Sequence, residues 1–126
     1  MSRAPWQRIS VAAAGLIGAT AVGFAAYGAH GLDGQAAEWI EKGSRFALIH
    51  AVALLALGVG RGQGGGLKLA ALFFVVGAVL FSGTLFLMAV TALRPVFLVP
   101  IGGTSFILGW LAVFSAALRP GSPDAI

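Results

Sequence analysis

The chain contains no cysteine, so disulfides and cysteine-ligated metals are excluded. Charge is nearly as scarce. Eight basic and four acidic side chains make up 10% of the residues, against roughly 25% in an ordinary globular domain. So few charges cannot cover a water-soluble fold of 126 residues. The apolar runs hold no carboxylate pair, no nucleophile beside a base and no cluster of metal ligands. The expectation is a protein that is not an enzyme and carries no cofactor. The net charge of +4 does not suggest nucleic acid. Its basic residues stand singly at the ends of apolar runs, where the positive-inside rule puts them.

What the chain has in abundance is apolar length. Hydrophobic residues are 59% of it. Charge-free runs cover Ile9–Leu32, Phe46–Gly60, Leu69–Leu93 and Pro95–Leu118, with lengths of 24, 15, 25 and 24 residues. A bilayer core needs about 20 apolar residues per helical span. Three runs reach that directly, and the second extends backward past Arg45. The expected fold is an all-α integral membrane protein. It is one domain over residues 1–126, a bundle of four transmembrane helices spanning about 9–30, 44–60, 68–93 and 95–118. The first run begins like a signal peptide, but it is too long for a typical apolar core of one and reads as the first span.

Orientation follows from the basic residues. Arg3, Arg8, Arg61, Lys68 and Arg119 share one side of a four-helix topology. Lys42, Arg45 and Arg94 share the other, with Asp33, Glu38 and Glu41. The imbalance places both termini in the cytoplasm.

In the first span, Gly15, Ala19 and Gly23 recur at every fourth position. Such small-residue stripes let helices approach closely. The stripe predicts a packing face within the bundle, or a homodimer contact. Gly31–Gly43 is the one polar connection of any size. Asp33 suits an N-cap there, and Ala36, Trp39 and Ile40 share one side. This segment predicts a short interfacial helix between spans one and two, with Trp39 at headgroup depth. Gly58–Gly66 holds six glycines in nine residues. Its formal G-x-G-x-x-G at Gly60–Gly65 is no nucleotide motif, since no strand precedes it. It reads as a flexible turn. Pro95 is expected near the first position of span four. Pro100 lacks an N–H for the carbonyl of Val96, so that span should start kinked or partly unwound. Ser105, Gly109, Ala112 and Ala116 form a second small-residue face. Pro120 should end the helix and leave a short disordered tail.

Polar groups at membrane depth are functional candidates by default. Tyr27, His30, Arg45, His50, Ser82, Thr84 and Thr104 form a candidate polar cluster in the outer half. Depth counting places Tyr27 level with His50, with Arg45 on the rim above. His50 is expected to be neutral and to face the bundle, within hydrogen-bond reach of Tyr27 or a span-three hydroxyl. In one reading these groups satisfy one another, with Arg45 paired to Glu41 or a lipid phosphate. In the other they bind a ligand, a proton or a quinone-like headgroup. His30 and His50 on neighbouring spans have the arrangement of axial haem ligands, but glycine-rich helix contacts leave little room for a porphyrin.

A set of short motifs runs in order along the chain. Gly28-Ala29-His30-Gly31-Leu32 closes span one. Arg45-Phe46 and His50-Ala51 open span two. Phe81-Ser82-Gly83-Thr84-Leu85-Phe86 lies inside span three. Pro100-Ile101-Gly102-Gly103 and Gly109-Trp110 mark span four. Over about Ile9–Leu118 this set resembles the family called domain of unknown function 423, of YgdD-type and transmembrane protein 256-like small membrane proteins. The resemblance implies four spans in an inner membrane and no established activity. Members often carry tyrosine where this chain has Phe46 and Phe86, and a longer first outer connection.

Two functions follow as expectations. One is a non-catalytic accessory or assembly subunit, packing against other membrane-protein subunits as well as the lipid bilayer. The alternative is a small transporter, channel or lipid- or quinone-binding protein that uses the outer polar cluster.

Overall fold

The computed structural model describes residues 3–119. The chain is helical throughout that range apart from short connections. Helix α1 covers Pro5–Gly31 and α2 covers Gly34–Val59. A third span, Gly65–Val90, is built from α3 (Gly65–Gly77), a π-helical turn (Ala78–Gly83) and α4 (Thr84–Val90). Helix α5 covers Leu98–Ala117. Among the described residues, four helices are therefore long and apolar enough to cross a membrane.

The starts of these helices follow from local chemistry. Pro5 occupies the first position of α1, where its missing N–H removes no bond. Only Leu32 and Asp33 separate α1 from α2. Gly34 then adopts a φ of +62°, a left-handed conformation that glycine takes without penalty. Pro95 lies in a turn ahead of α5, which begins at Leu98. The amide of Val99 bonds the Val96 carbonyl across 3.2 Å. Pro100 thus falls in the first turn of α5, where no backbone partner is required of it.

The short interfacial helix expected between the first two spans is not there. The helix α2 runs unbroken from Gly34 to Val59, and the amphipathic segment is its first turns. Two contacts hold it upright against the bundle. Ile40 is fully buried over Gly28 of α1, where a Cβ would collide with it. Gly43 lets the Phe86 ring close on the α2 backbone. Glu38, Glu41, Lys42 and Arg45 are exposed on the outer side of those turns. The Arg94 guanidinium lies 4.9 Å over the Trp39 ring and donates to the carbonyls of Met88, Thr91 and Leu93. It thereby satisfies carbonyls that the end of α4 leaves free.

Packing divides the bundle into two antiparallel pairs, α1 with α2 and α3 with α5. The upper half of the third span joins them, because α4 packs on α2 while α3 packs on α5. The π-helical turn lies at the changeover. Gly102 of α5 sits against the backbone of Leu80 and Phe81 there, too close for any side chain. A core of Leu54, Phe74, Phe106, Ala70, Ala71 and Ala78 fills the space between the pairs.

The glycine-rich connection is pinned rather than loose. Gln7 is 0% exposed. Its Nε2 reaches the carbonyls of Leu57, Gly60 and Gly62 at 3.1, 2.9 and 3.4 Å. Its Oε1 accepts the Ala4 amide at the start of α1. Arg3 Nε donates to the Gly58 carbonyl across 2.8 Å. Most of these oxygens are the orphans that a helix C-terminus creates. The expected stop at Pro120 and the tail beyond it lie outside the described residues.

Candidate functional site: a histidine in an aromatic box

Among the described residues, His50 is the one ionisable side chain buried in the bundle, at 3% exposure. It faces inward, and its ring is held on all sides. The Phe106 ring stacks on it with centroids 3.6 Å apart and planes 9° from parallel. Phe74 lies tilted at 5.2 Å and Trp110 at 5.8 Å. Phe46 and Phe81 extend the box outward, 4.9 Å from each other.

Both ring nitrogens are bonded. Trp110 Nε1 donates to His50 Nε2 across 3.0 Å. An indole N–H only donates, so Nε2 carries no proton. The proton of a neutral ring then sits on Nδ1, 2.7 Å from the Phe46 carbonyl, which accepts it. The two contacts together select the neutral Nδ1–H tautomer. A second ring proton would set N–H against N–H at Trp110.

The partner is therefore not Tyr27 or a span-three hydroxyl. The register of α1 on α2 explains why. Gly28 meets Ile40, Gly18 faces Ala51, and Val11 meets Gly58. Tyr27 is thus level with the early turns of α2. His50 lies roughly two turns, about 12 Å, further in. Because α2 begins at Gly34, His50 is past the middle of its helix, not one turn inside it.

The other members of the expected cluster also stand apart. Tyr27 is 49% exposed and lies over Gly31. His30 is exposed at the end of α1, so the two histidines do not face each other. Arg45 pairs with Glu41 across 3.7 Å on the exposed rim. Thr104 is exposed and donates to the Pro100 carbonyl one turn back. Thr84 and Ser82 are buried. Ser82 lies in the π-helical turn, and its hydroxyl has no partner; Ser44 is the same. A cleft of about 250 Å³ passes Ser82, Thr20, Ala47 and Phe86, but it reaches neither His50 nor Tyr27.

The two small-residue faces part company as well. Ser105 and Gly109 are buried in the bundle. Ser105 donates to the Phe73 carbonyl across 2.7 Å, and Gly109 receives the Phe74 ring. Gly15, Ala19 and Gly23 are exposed. Nothing lies within 4 Å of a Cβ added at Gly15 or Gly23. The first stripe is not a packing face within the bundle.

Sequence reasoning missed Trp110 as the partner of His50. The signal was present: each residue sits a few turns before the inner end of its own helix. Counting both spans from that shared side places them at one level.

Among the described residues, no group of three or more His, Cys, Asp or Glu could hold a metal ion. Comparison with known proteins settles the kinship. The family described as Protein of unknown function (DUF423) matches residues 24–103. The chain belongs to that family. It is 37% identical to a UPF0382 membrane protein of Staphylococcus epidermidis over 79% of this chain and 86% of the relative. It is 35% identical to the UPF0382 inner membrane protein YgdD of Escherichia coli over 78% and 80%. A UPF0382 membrane protein of Haemophilus influenzae is 33% identical over 79% and 82%. No solved structure matches the chain. This DUF423 chain is accordingly an integral membrane protein with four candidate spans.

Proposed function

We propose that this chain is a non-catalytic accessory or assembly subunit of a larger complex in a bacterial inner membrane. It would dock a transmembrane helix of that complex along the outer face of α1. The observation that carries this reading is the outward placement of Gly15, Ala19 and Gly23. Helices in lipid gain no hydrophobic drive from one another, so association relies on close backbone approach at small residues. The stripe offers that approach and no helix of this chain uses it. Ala12 and Ala26 continue the same exposed face, and α1 is the least buried of the four spans. An inner-membrane location is carried by the name of the Escherichia coli relative, and both termini in the cytoplasm by the basic-residue imbalance.

The alternative, a small transporter or a lipid- or quinone-binding protein, draws on one observation. The buried Ser82 hydroxyl has no partner beside an apolar cleft. It is the weaker reading, because the polar residues it needs do not meet in one cavity.

The deciding experiment is gentle solubilisation followed by native electrophoresis and mass spectrometry. The chain should migrate with one defined larger assembly. Gly15→Ile with Gly23→Ile should release it, while Leu111→Ala on the exposed face of α5 should not. A lone 12.8 kDa chain in every lipid-like detergent sinks the accessory reading. A dimer of this chain alone replaces it with self-association.

A further inference from the structure

The helix ends that carry Arg3, Arg8, Arg61, Lys68 and Arg119 hold no acidic partner among the described residues. Asp33, Glu38 and Glu41 all lie at the opposite end, and the one ion pair among the described residues, Arg45–Glu41, is there too. At the basic end a groove of about 420 Å³ opens between α1 and α3. Lys68 stands in its wall, with Trp6 and Gly65 close by. Ile9, Leu69, Ala71, Leu72 and Val75 line most of the rest with hydrocarbon, and Ser10, which also lines it, donates its hydroxyl to the Trp6 carbonyl. Ile9 also borders a shallower hollow that holds Arg8.

We propose that this groove binds an anionic phospholipid, with one acyl chain along Ile9, Leu72 and Val75 and the headgroup phosphate held by Lys68. The order of the lining matches the order of such a lipid. Lys68 and Trp6 lie near the helix ends, where an ammonium and an indole meet headgroups. Val75 lies two turns deeper, about 10 Å along the helix. The Lys68 side chain and the Trp6 indole N–H make no ion pair or hydrogen bond among the described residues, so both can serve a phosphate or an ester oxygen. Gly65 has open space where a side chain would stand, which lets a headgroup approach the backbone. Charge decides between a lipid and a partner helix. A hydrocarbon groove alone would accept either, but this one carries Lys68 in its wall, has Arg8 in the adjoining hollow, and faces a membrane in which lipid is the abundant anion. Basic pockets between transmembrane helices hold anionic headgroups in this way.

The test is native mass spectrometry of the purified full chain. The probes are phosphatidylglycerol and phosphatidylcholine with identical acyl chains. The expected result is one phosphatidylglycerol retained per chain and no comparable retention of phosphatidylcholine. Lys68→Gln should weaken retention about fivefold, the effect of one lysine near an anionic surface. Lys42→Gln, at the opposite end, should leave it unchanged. Leu72→Trp should fill the groove and expel the lipid while circular dichroism shows an intact helical fold. Equal retention of both lipids overturns the proposal, as does equal loss from Lys68→Gln and Lys42→Gln. If Leu72→Trp alters the oligomeric mass and not lipid retention, the groove belongs to a second chain and the proposal fails.

Discussion

The indole N–H of Trp110 donates to Nε2 of His50 across 3.0 Å, joining the second span to the fourth at a point walled by aromatic rings. The contact is polar and neutral, with His50 buried and Trp110 partly exposed. Its worth is measurable by a double-mutant cycle on His50→Leu and Trp110→Phe. Buried side-chain hydrogen bonds in membrane bundles average about 0.6 kcal/mol and reach about 1.7. Unfolding of the single and double variants in detergent should return a coupling energy within that span. Strict additivity would mean that the bond contributes nothing to the fold.

The same contact sets the tautomer. Nitrogen-15 spectra of labelled protein should show His50 as a neutral ring protonated at Nδ1. In Trp110→Phe the Nε2 position loses its donor, and the two neutral tautomers should become more evenly populated. A wild-type ring protonated at Nε2 contradicts the geometry.

Gln7 should govern access to the glycine-rich connection. Its amide holds three carbonyls, and removing it leaves the buried Gly62 acceptor unpaired, at about 1–3 kcal/mol. Gln7→Ala should therefore speed tryptic cleavage after Arg61 in detergent-solubilised protein. Gln63→Ala, at an exposed position in the same connection, should not. Unchanged cleavage in Gln7→Ala would show that the pin does not restrain the loop.

Two adjacent glycines should behave oppositely. A Cβ at Gly102 strikes the backbone of Leu80 and Phe81, whereas one at Gly103 meets only the Phe81 ring at 3.7 Å. Backbone cannot step aside as a side-chain end can. Gly102→Ala should destabilise by about 1–3 kcal/mol, as overpacking does. Gly103→Ala should be neutral or gain up to about 1 kcal/mol from helix propensity. Thermal unfolding of the two variants checks the contrast, and similar midpoints would remove Gly102 as a close-contact point.

The spans were legible in the sequence because lipid tolerates so little charge. Each charge-free run lies largely within one helical span. The start of α2 was not legible. Glu38, Glu41, Lys42 and Arg45 look like the face of a separate surface helix, yet they only decorate the outer side of a continuous one. That misplaced start shifted every depth estimate on α2. It set His50 level with Tyr27 and hid Trp110. The inward aim of His50 was readable, since a lone imidazole in lipid has no partner. The stripe of Gly15, Ala19 and Gly23 was visible as spacing. Spacing does not say whether a face turns toward the bundle or away from it. The π-helical turn has no residue signature that a helix-period pattern reveals.

That turn has a consequence for how the chain can change length. It adds one residue to the third span, and one residue on a helix is a rotation of about 100°. The inner half can therefore show Ala70 and Phe74 to α5 while the outer half shows Leu85 and Phe86 to α2. The span has two addresses, and a single surplus residue switches between them. Deleting one position between Ala78 and Gly83 would leave composition and hydropathy nearly untouched. It would still swing the outer half by a quarter turn, away from Gly43. For this span the residue count, more than residue identity, determines which neighbour each end meets.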